Sequence, residues 1–375
     1  MKGDKNYLTA MSIVIGTCIG AGVLGIPYVA AQSGFFVALA HIVLIGAIIL
    51  LVNLYLGEIT LRTKEEYQIP GYANKYIGKK GKVFVKFATI FGIYSAIIAY
   101  LFGVGESLSF LVVGHAGLTT LFGIGFGLLM SSIIWGGLGS LKRFEKWGVT
   151  IILSLLLLIF ILFSKNVEFI NLLSFNSAKL FLPFGVILFA LMSFHAVPEI
   201  ALVLKKDEKK MKRTLFGATL VSIIFYILFA LVVVGFKGSA TPEIATLALG
   251  GVFIVLGIFT MFTSYLSLGN ALLEDFIFDD GAKKFKAWFF TAIIPILLFV
   301  FVRMFEFFSF TKILSIGGVV SGGFIVIAIL FIVQKAKKNG NRKPEYSIPI
   351  NWFIIGLLSL IFIAGVVREI IVGLR

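Results

Sequence analysis

The stretch IGTCIGAGVLGIPY, residues 15–28, sets four glycines and a proline inside a segment that is apolar enough to cross a lipid bilayer. Glycine and proline are the poorest helix formers, by roughly 1 and 3 kcal/mol relative to alanine. Unwound backbone at membrane depth is tolerated only where it lines a cavity or is buried in protein. We therefore predict that the first helix is broken near its centre, with residues 20–23 unwound ahead of Pro27.

Two other interpretations of this stretch explain less of it. The segment GAGVLG, residues 20–25, matches the G-x-G-x-x-G pattern of dinucleotide-binding folds, which requires a preceding strand and an acidic residue about 20 positions later. Here a transmembrane segment precedes the pattern, and the region around Ile45 is apolar. A helix-packing face through Gly16 and Gly20 accounts for two of the glycines but not for their density beside Pro27.

The composition of the chain is that of a polytopic helical membrane protein. Of its 375 residues, 59% are hydrophobic and 14% are charged, and the mean hydropathy is +1.06. A soluble domain carries about a quarter charged residues. The single cysteine, Cys18, excludes an internal disulfide. We predict an all-α fold of about 11 transmembrane helices without the alternation of a barrel. The predicted spans are 8–31, 36–59, 84–113, 118–139, 148–163, 181–203, 214–236, 246–277, 288–303, 309–333 and 349–373.

The distribution of the net charge of +15 predicts the topology. Every second connection is basic and holds most of the 33 Lys and Arg residues, which is the positive-inside pattern. We therefore expect a multi-pass protein of the cell membrane with a cytoplasmic N-terminus and an external C-terminus. Its basic charge faces anionic lipid, not nucleic acid. The basic segments are the N-terminus, 62–86, 142–146, 205–213, 283–286 and 335–343.

A second helix break is predicted in SFHAVPEI, residues 193–200, in the middle of the sixth span. Pro198 suits the first turn of a new half-helix, where the helix dipole also favours the carboxylate of Glu199. Breaks in spans 1 and 6 predict two inverted repeats, about 8–163 and 181–333, with the substrate at their interface. An extra helix, about 349–373, completes one transporter domain over residues 1–375.

The residues around both breaks resemble a known family. IGTCIGAGVLGIPYVAAQSGF, residues 15–35, resembles the first-helix signature of the amino acid/auxin permease family. FGVILFALMSFHAVPEIALVLKK, residues 184–206, is similar to that family's sixth helix, and AYLFGVGESLSFLV, residues 99–112, to its third. TSYLSLGNALLEDF, residues 263–276, resembles the related hydroxy and aromatic amino acid permeases. The resemblance implies a LeuT-type fold and secondary transport of amino acids.

The resemblance also implies which groups bind the substrate. The carboxylate would meet N–H groups around Gly20, Ala21 and Gly22, and Tyr100 either reaches it or only packs. The amino group would meet carbonyls near Thr17, Cys18, Ser193 and Phe194, and Phe194 would wall the side-chain pocket. His195 is either a protonation switch or, the interpretation we favour, a neutral prop for unwound backbone.

For the coupling ion we predict sodium over a proton by a narrow margin, and no other cofactor. The hydroxyls of Thr260, Thr263 and Ser264 share one face of the eighth helix. By resemblance they would form an oxygen cage with the carbonyls of Gly16 and Ile19. Proton-driven relatives can fill such a cage with a lysine of the fifth helix, and residues 148–163 contain none. With a proton, His195 would be the carrier.

Other functional classes are less well supported by the sequence. Three scattered histidines and one cysteine offer nothing for metal or thiol catalysis, so we expect no enzyme. An amino acid sensor with the same fold and little flux remains an alternative. One chain holds both repeats, so a monomer is expected to suffice, while the oligomeric state and the amino acid carried stay open. Glu106, in the outer part of span 3, is expected to face the bundle or a vestibule instead of lipid.

Overall fold

The computed structural model describes residues 2–136, 154, 157–205, 207–305 and 308–373, and the regular structure within these ranges is helical. Within the described residues, nine helices are long and apolar enough to span a membrane, and the bent pair at the N-terminus raises this to ten. Most of the predicted fifth span, 148–163, lies outside the described residues, so the count of about 11 stays a prediction. The helices are α1 Lys2–Cys18, α2 Ala21–Ser33, α3 Phe35–Leu61, α4 Ile69–Val113, α5 Thr119–Trp135, α6 Leu157–Asn166, α7 Pro183–Leu191, α8 Ala196–Val203, α9 Met211–Lys237, α10 Gly251–Glu274, α11 Lys284–Phe305, α12 Phe310–Asn339 and α13 Trp352–Gly373.

The first span is broken between α1 and α2, which meet at a bend of 51°. The unwound part is shorter than predicted. It covers only residues 19–20, and the helix resumes at Ala21. Pro27 lies inside α2. Proline removes only its own N–H, so a single helical hydrogen bond is lost, and tight packing around α2 keeps the remaining turns closed.

The second break lies between α7 and α8 and covers residues 192–195. Pro198 and Glu199 lie in the first turn of α8, as predicted. The two broken spans run antiparallel, since the segment before α7 meets the end of α2, where the N–H of Asn176 donates to the carbonyl of Ser33 (3.1 Å). Helix α2 packs against α7, and α1 packs against α8, so both breaks come together at one depth.

The described basic connections lie together at one end of the bundle, as the charge pattern predicts. Lys205 contacts Glu66 there (2.6 Å), and Lys82 donates to the carbonyl of Asp279 (2.8 Å). Arg342 pairs with Glu208. We call this the basic end. The predicted basic segment 142–146 lies outside the described residues.

Glu58 anchors the connection between α12 and α13 onto α3 at the basic end. Its side chain is fully buried and accepts from Arg62 (2.8 Å), one turn along the chain, and from Lys337 (2.6 Å). The hydroxyl of Ser347 (2.9 Å) and the N–H of Ile348 (2.7 Å) also donate to it. One carboxylate therefore joins α3, α12 and the connection that leads to α13.

We expect Glu58→Gln to destabilise the fold, because the amide leaves two cations without their buried counter-charge. The loss is about 1–3 kcal/mol, which lowers the melting temperature of the detergent-purified protein by several degrees. Glu66→Gln is the matched control, since the Glu66–Lys205 pair is largely exposed and should contribute nothing measurable. Equal melting temperatures for the two variants would contradict this role of Glu58.

Candidate binding site at the two helix breaks

A small central cavity lies where the two broken spans meet. Its volume of about 30 Å³ has room for little more than water. Six predicted site residues line it, on the last turn of α1, the first turn of α2, α4 and the second break. The complete lining is Thr17, Cys18, Gly20, Gly22, Gly92, Ile93, Ala96, Tyr100, Phe189, Met192, His195, Leu268 and Ser321.

Unpaired backbone donors begin α2 beside this cavity. The N–H of Gly20 turns back onto the carbonyl of Cys18 (2.9 Å), while those of Ala21 and Gly22 make no hydrogen bond with any described residue. No side chain caps this helix start. A helix N-terminus with free N–H groups attracts an anion, because the aligned peptide dipoles add partial positive charge there.

Gly20 and Gly22 are required for different reasons. A Cβ on Gly20 would lie 2.7 Å from the Ser264 hydroxyl oxygen and 2.9 Å from that of Tyr100, so Gly20 keeps the cradle open. A Cβ on Gly22 would lie 2.5 Å from the Cα of Ala190. Gly22 therefore permits the close approach of α2 to α7, a packing role that the sequence did not separate from the cradle.

Tyr226, on α9, joins the two breaks and was missed by the sequence analysis. Its buried hydroxyl lies 2.6 Å from the carbonyl of Cys18 and 2.8 Å from the carbonyl of Ala190. A hydroxyl has one hydrogen, so the two carbonyls share a single donor. The signal in the sequence was weak, because one tyrosine in a long apolar helix resembles a packing residue.

The second break departs from the expectation for Ser193 and Phe194. Both are buried, and neither lines the cavity. The hydroxyl of Ser193 accepts from the amide of Asn53 on α3 (2.9 Å), and Phe189 and Met192 line the cavity instead. Ala21, although its N–H begins α2, also has its side chain outside the lining.

Part of the predicted cation cage is assembled. The Ser264 hydroxyl lies 2.9 Å from the Gly16 carbonyl oxygen and 3.3 Å from that of Ile19. Thr260 and Thr263 instead donate to carbonyls of their own helix, both at 2.9 Å. The structure therefore joins Ser264 to the break in the first span, whereas the two threonines bond within α10.

His195 lines the central cavity, and its ring makes no hydrogen bond with a described residue. The backbone-prop interaction that we favoured is therefore not found among the described residues. Pro198 lies one turn further along α8 and lines a second, larger cavity. The second break therefore lines the central cavity, and the adjoining helix α8 lines the larger one.

The larger cavity, which we call the vestibule, measures about 560 Å³ and opens at the basic end. Its lining includes Glu66, Lys205, Glu208 and Arg342, whose ion pairs cross its mouth. Glu66 raises the pKa of Lys205. Hydrogen bonds from Lys75 and Asn341 lower the pKa of Glu65, another lining residue, to about 2. Lys205 and Glu65 therefore stay charged near neutral pH.

Comparison with known proteins identifies the family. Residues 4–241 match the model of the tryptophan/tyrosine permease family. The chain belongs to that family. The aromatic permeases named in the resemblance are thus supported, while the amino acid/auxin permease label stays a prediction. The protein is accordingly a multi-pass membrane permease, an amino acid transporter and not an enzyme.

Two relatives agree with this assignment, and one solved structure has a similar fold. The permease is 24% identical over 364 residues to "Tyrosine-specific transport system 1" of Haemophilus influenzae, covering 88% of each chain. It is 24% identical over 304 residues to "Glutamine transporter 2" of Aliivibrio fischeri, covering 76% of this chain and 78% of the relative. The structure of Mhp1, a nucleobase-cation-symport-1 family transporter in a closed conformation with bromovinylhydantoin bound, matches with a TM-score of 0.65 at 12% identity. It covers 98% of the permease and 91% of Mhp1. The LeuT-type fold is confirmed.

We expect Tyr226→Phe to lower uptake at least tenfold, because two buried carbonyls at the breaks lose their only side-chain donor. Reconstituted protein in liposomes measures the rate, and a thermal melt measures the accompanying loss of about 1–3 kcal/mol. Tyr265→Phe is the control, since the buried Tyr265 hydroxyl has no hydrogen-bond partner among the described residues. Equal uptake by the two variants would show that Tyr226 acts only by packing.

Proposed function

We propose that this permease is a secondary active transporter of aromatic amino acids that binds its substrate in the central cavity and works by alternating access. The observation that carries the proposal is the free N–H group of Gly22, a residue that lines the cavity, with the free N–H group of Ala21 beside it in the first turn of α2. Gly20 leaves this backbone uncovered. These donors and the Tyr100 hydroxyl bind the α-carboxylate, which the dipole of α2 also favours.

The α-amino group binds on the other side of the first break, at the end of α1, where the last carbonyls of that helix lack helical partners. The Cys18 carbonyl already accepts from Tyr226 and Gly20, so the Thr17 carbonyl is the better acceptor for the ammonium. Ser193 and Phe194 act indirectly, by holding the second break through Asn53 and core packing. The amino acid zwitterion thus bridges the start of α2, through its carboxylate, and the end of α1, through its ammonium group.

The relatives support an aromatic substrate, with glutamine as the second candidate. A cavity of about 30 Å³ is too small for either, so the described conformation is closed and binding requires the two broken spans to move apart. The vestibule supports exchange with the basic end in another conformation. The sensor alternative requires binding without this exchange.

The proposal also covers the orientation of the protein in the membrane and its internal repeats. The clustering of Lys82, Lys205 and Arg342 at one end supports a cytoplasmic basic end and an external C-terminus. The antiparallel broken spans support the two inverted repeats, about 8–163 and 181–333, with an extra helix at 349–373. Every described site residue comes from one chain, which supports a functional monomer in the lipid bilayer.

Sodium is the proposed coupling ion, and Ser264 with the carbonyls of Gly16 and Ile19 is its proposed cage. At present the hydroxyl hydrogen lies between these oxygens, and rotation of the hydroxyl exposes three oxygen ligands to a cation. Thr260 and Thr263 join only if they release their bonds within α10. His195 supports the proton alternative, because its ring lines the substrate cavity.

We expect proteoliposomes to take up labelled tyrosine or tryptophan, and Gly20→Ala to abolish this uptake. The added methyl group meets the hydroxyls of Ser264 and Tyr100 and covers the cradle. Gly125→Ala is the control, because no atom lies within 4 Å of its Cβ position. Normal uptake by Gly20→Ala would exclude this cradle, and binding without uptake by the parent protein would favour the sensor.

We expect uptake to follow an inward sodium gradient and Ser264→Ala to raise the sodium concentration for half-maximal uptake at least fivefold. A pH gradient without membrane potential provides the comparison. Ser95→Ala is the control, since the Ser95 hydroxyl bonds only to Phe91 of its own helix. Uptake that is driven by pH, indifferent to sodium and lost in His195→Ala would establish the proton alternative.

A further inference from the structure

Ser321 presents an unpaired hydroxyl to the central cavity. Its side chain is 1% exposed, and its oxygen has no hydrogen-bond partner among the described residues. It lies in the turn Gly318–Gly322, where α12 widens to π-helical geometry. A serine in a regular helix can bond to the carbonyl one turn back, and the wider turn displaces that carbonyl. An unpaired buried hydroxyl costs about 1–3 kcal/mol, so its retention at a cavity points to a ligand.

Gly92 on α4 keeps the space in front of this hydroxyl open. A Cβ on Gly92 would overlap the Ser321 oxygen. Gly92, Ala96 and Tyr100 all line the cavity at spacings of four residues, which puts them along one side of α4. The stripe is about 12 Å long at a rise of 1.5 Å per residue.

The two ends of this stripe differ in chemistry. The Tyr100 hydroxyl lies next to Gly20, at the proposed carboxylate cradle. Gly92 and Ser321 mark the other end, at a distance comparable to the length of an extended aromatic amino acid. Around the second break the lining includes the apolar side chains of Ile93, Phe189, Met192 and Leu268 together with His195. A largely apolar wall with few polar groups suits a ring with one polar atom at its tip better than the four-hydrogen-bond amide of glutamine.

We propose that Ser321 hydrogen-bonds the polar atom at the tip of the substrate ring, the phenol of tyrosine or the indole N–H of tryptophan, and thereby selects these amino acids over phenylalanine. The inference rests on the proposed transport function and adds to it a specificity-determining residue. Phenylalanine leaves the Ser321 hydroxyl buried and unpaired, whereas a substrate with a polar ring tip removes that cost.

The test compares substrates in Ser321→Ala with the parent protein in proteoliposomes. Unlabelled tyrosine and phenylalanine compete against labelled tyrosine, and tryptophan is compared with 3-(1-naphthyl)alanine, which lacks the indole N–H. We expect the parent to prefer the polar member of each pair, and Ser321→Ala to reduce that preference about five- to tenfold. The loss should come from weaker binding of tyrosine and tryptophan, with phenylalanine unchanged or improved.

Three further variants separate this role from packing. Ser315→Ala, a buried serine of α12 outside the cavity lining, should keep the parent preference. Gly92→Ala should lose it although Ser321 is present, because the methyl group covers the hydroxyl. Ser321→Cys, a weak hydrogen-bond donor of similar size, should give an intermediate preference and serves if the alanine variant is unstable.

The outcomes distinguish the two proposals. An active Ser321→Ala or Ser321→Cys protein with the parent preference for tyrosine over phenylalanine would overturn the role of Ser321 and leave the transport function standing. A parent protein that takes up no aromatic amino acid would overturn the transport function itself. Transport of both tyrosine and phenylalanine without preference by the parent would also overturn the role of Ser321.

Discussion

Backbone that is unwound at membrane depth must find partners within the protein, and the rest of this structure depends on how that requirement is met. At the two breaks the Tyr226 hydroxyl is within hydrogen-bond distance of the carbonyls of Cys18 and Ala190. The Ser264 hydroxyl is within hydrogen-bond distance of those of Gly16 and Ile19. Both hydroxyls belong to intact helices that flank the broken spans. The N–H groups of Ala21 and Gly22 at the first break have no hydrogen-bond partner among the described residues, and together with the cavity lining they define what the cavity can bind.

The closed cavity and the open vestibule describe one state of a transport cycle. The cavity is lined by residues of both breaks, among them one histidine, by three residues with hydroxyl groups and by apolar side chains. Helices α4 and α10 each carry residues that line both the cavity and the vestibule, and α8 lines the vestibule directly after His195 of the second break. Charges at the vestibule mouth remain ionised near neutral pH, which makes entry of water there inexpensive.

The basic end contains both a buried ion-pair cluster around Glu58 and exposed ion pairs. Glu58 is buried between cations of α3 and α12 and also holds the connection to α13, so one carboxylate fixes that connection to α3. The exposed pairs around it contribute little to folding and are free to break and re-form. The basic end therefore contains one buried carboxylate whose ion pairs stabilise the fold and several exposed ion pairs that contribute little to stability.

The sequence by itself determined the membrane class, nearly all of the described spans, both breaks and the grouping of basic connections, because hydropathy, helix breakers and charge act locally along the chain. It also indicated Gly20, Tyr100 and Ser264. Only the tertiary structure revealed Tyr226, the packing role of Gly22 and the unpaired Ser321, and it moved Phe194 out of the cavity and shortened the first break to residues 19–20. These features depend on which groups from distant helices meet, and in a chain with 40 phenylalanines and 40 glycines no local pattern distinguishes the few that face a cavity from those that only pack.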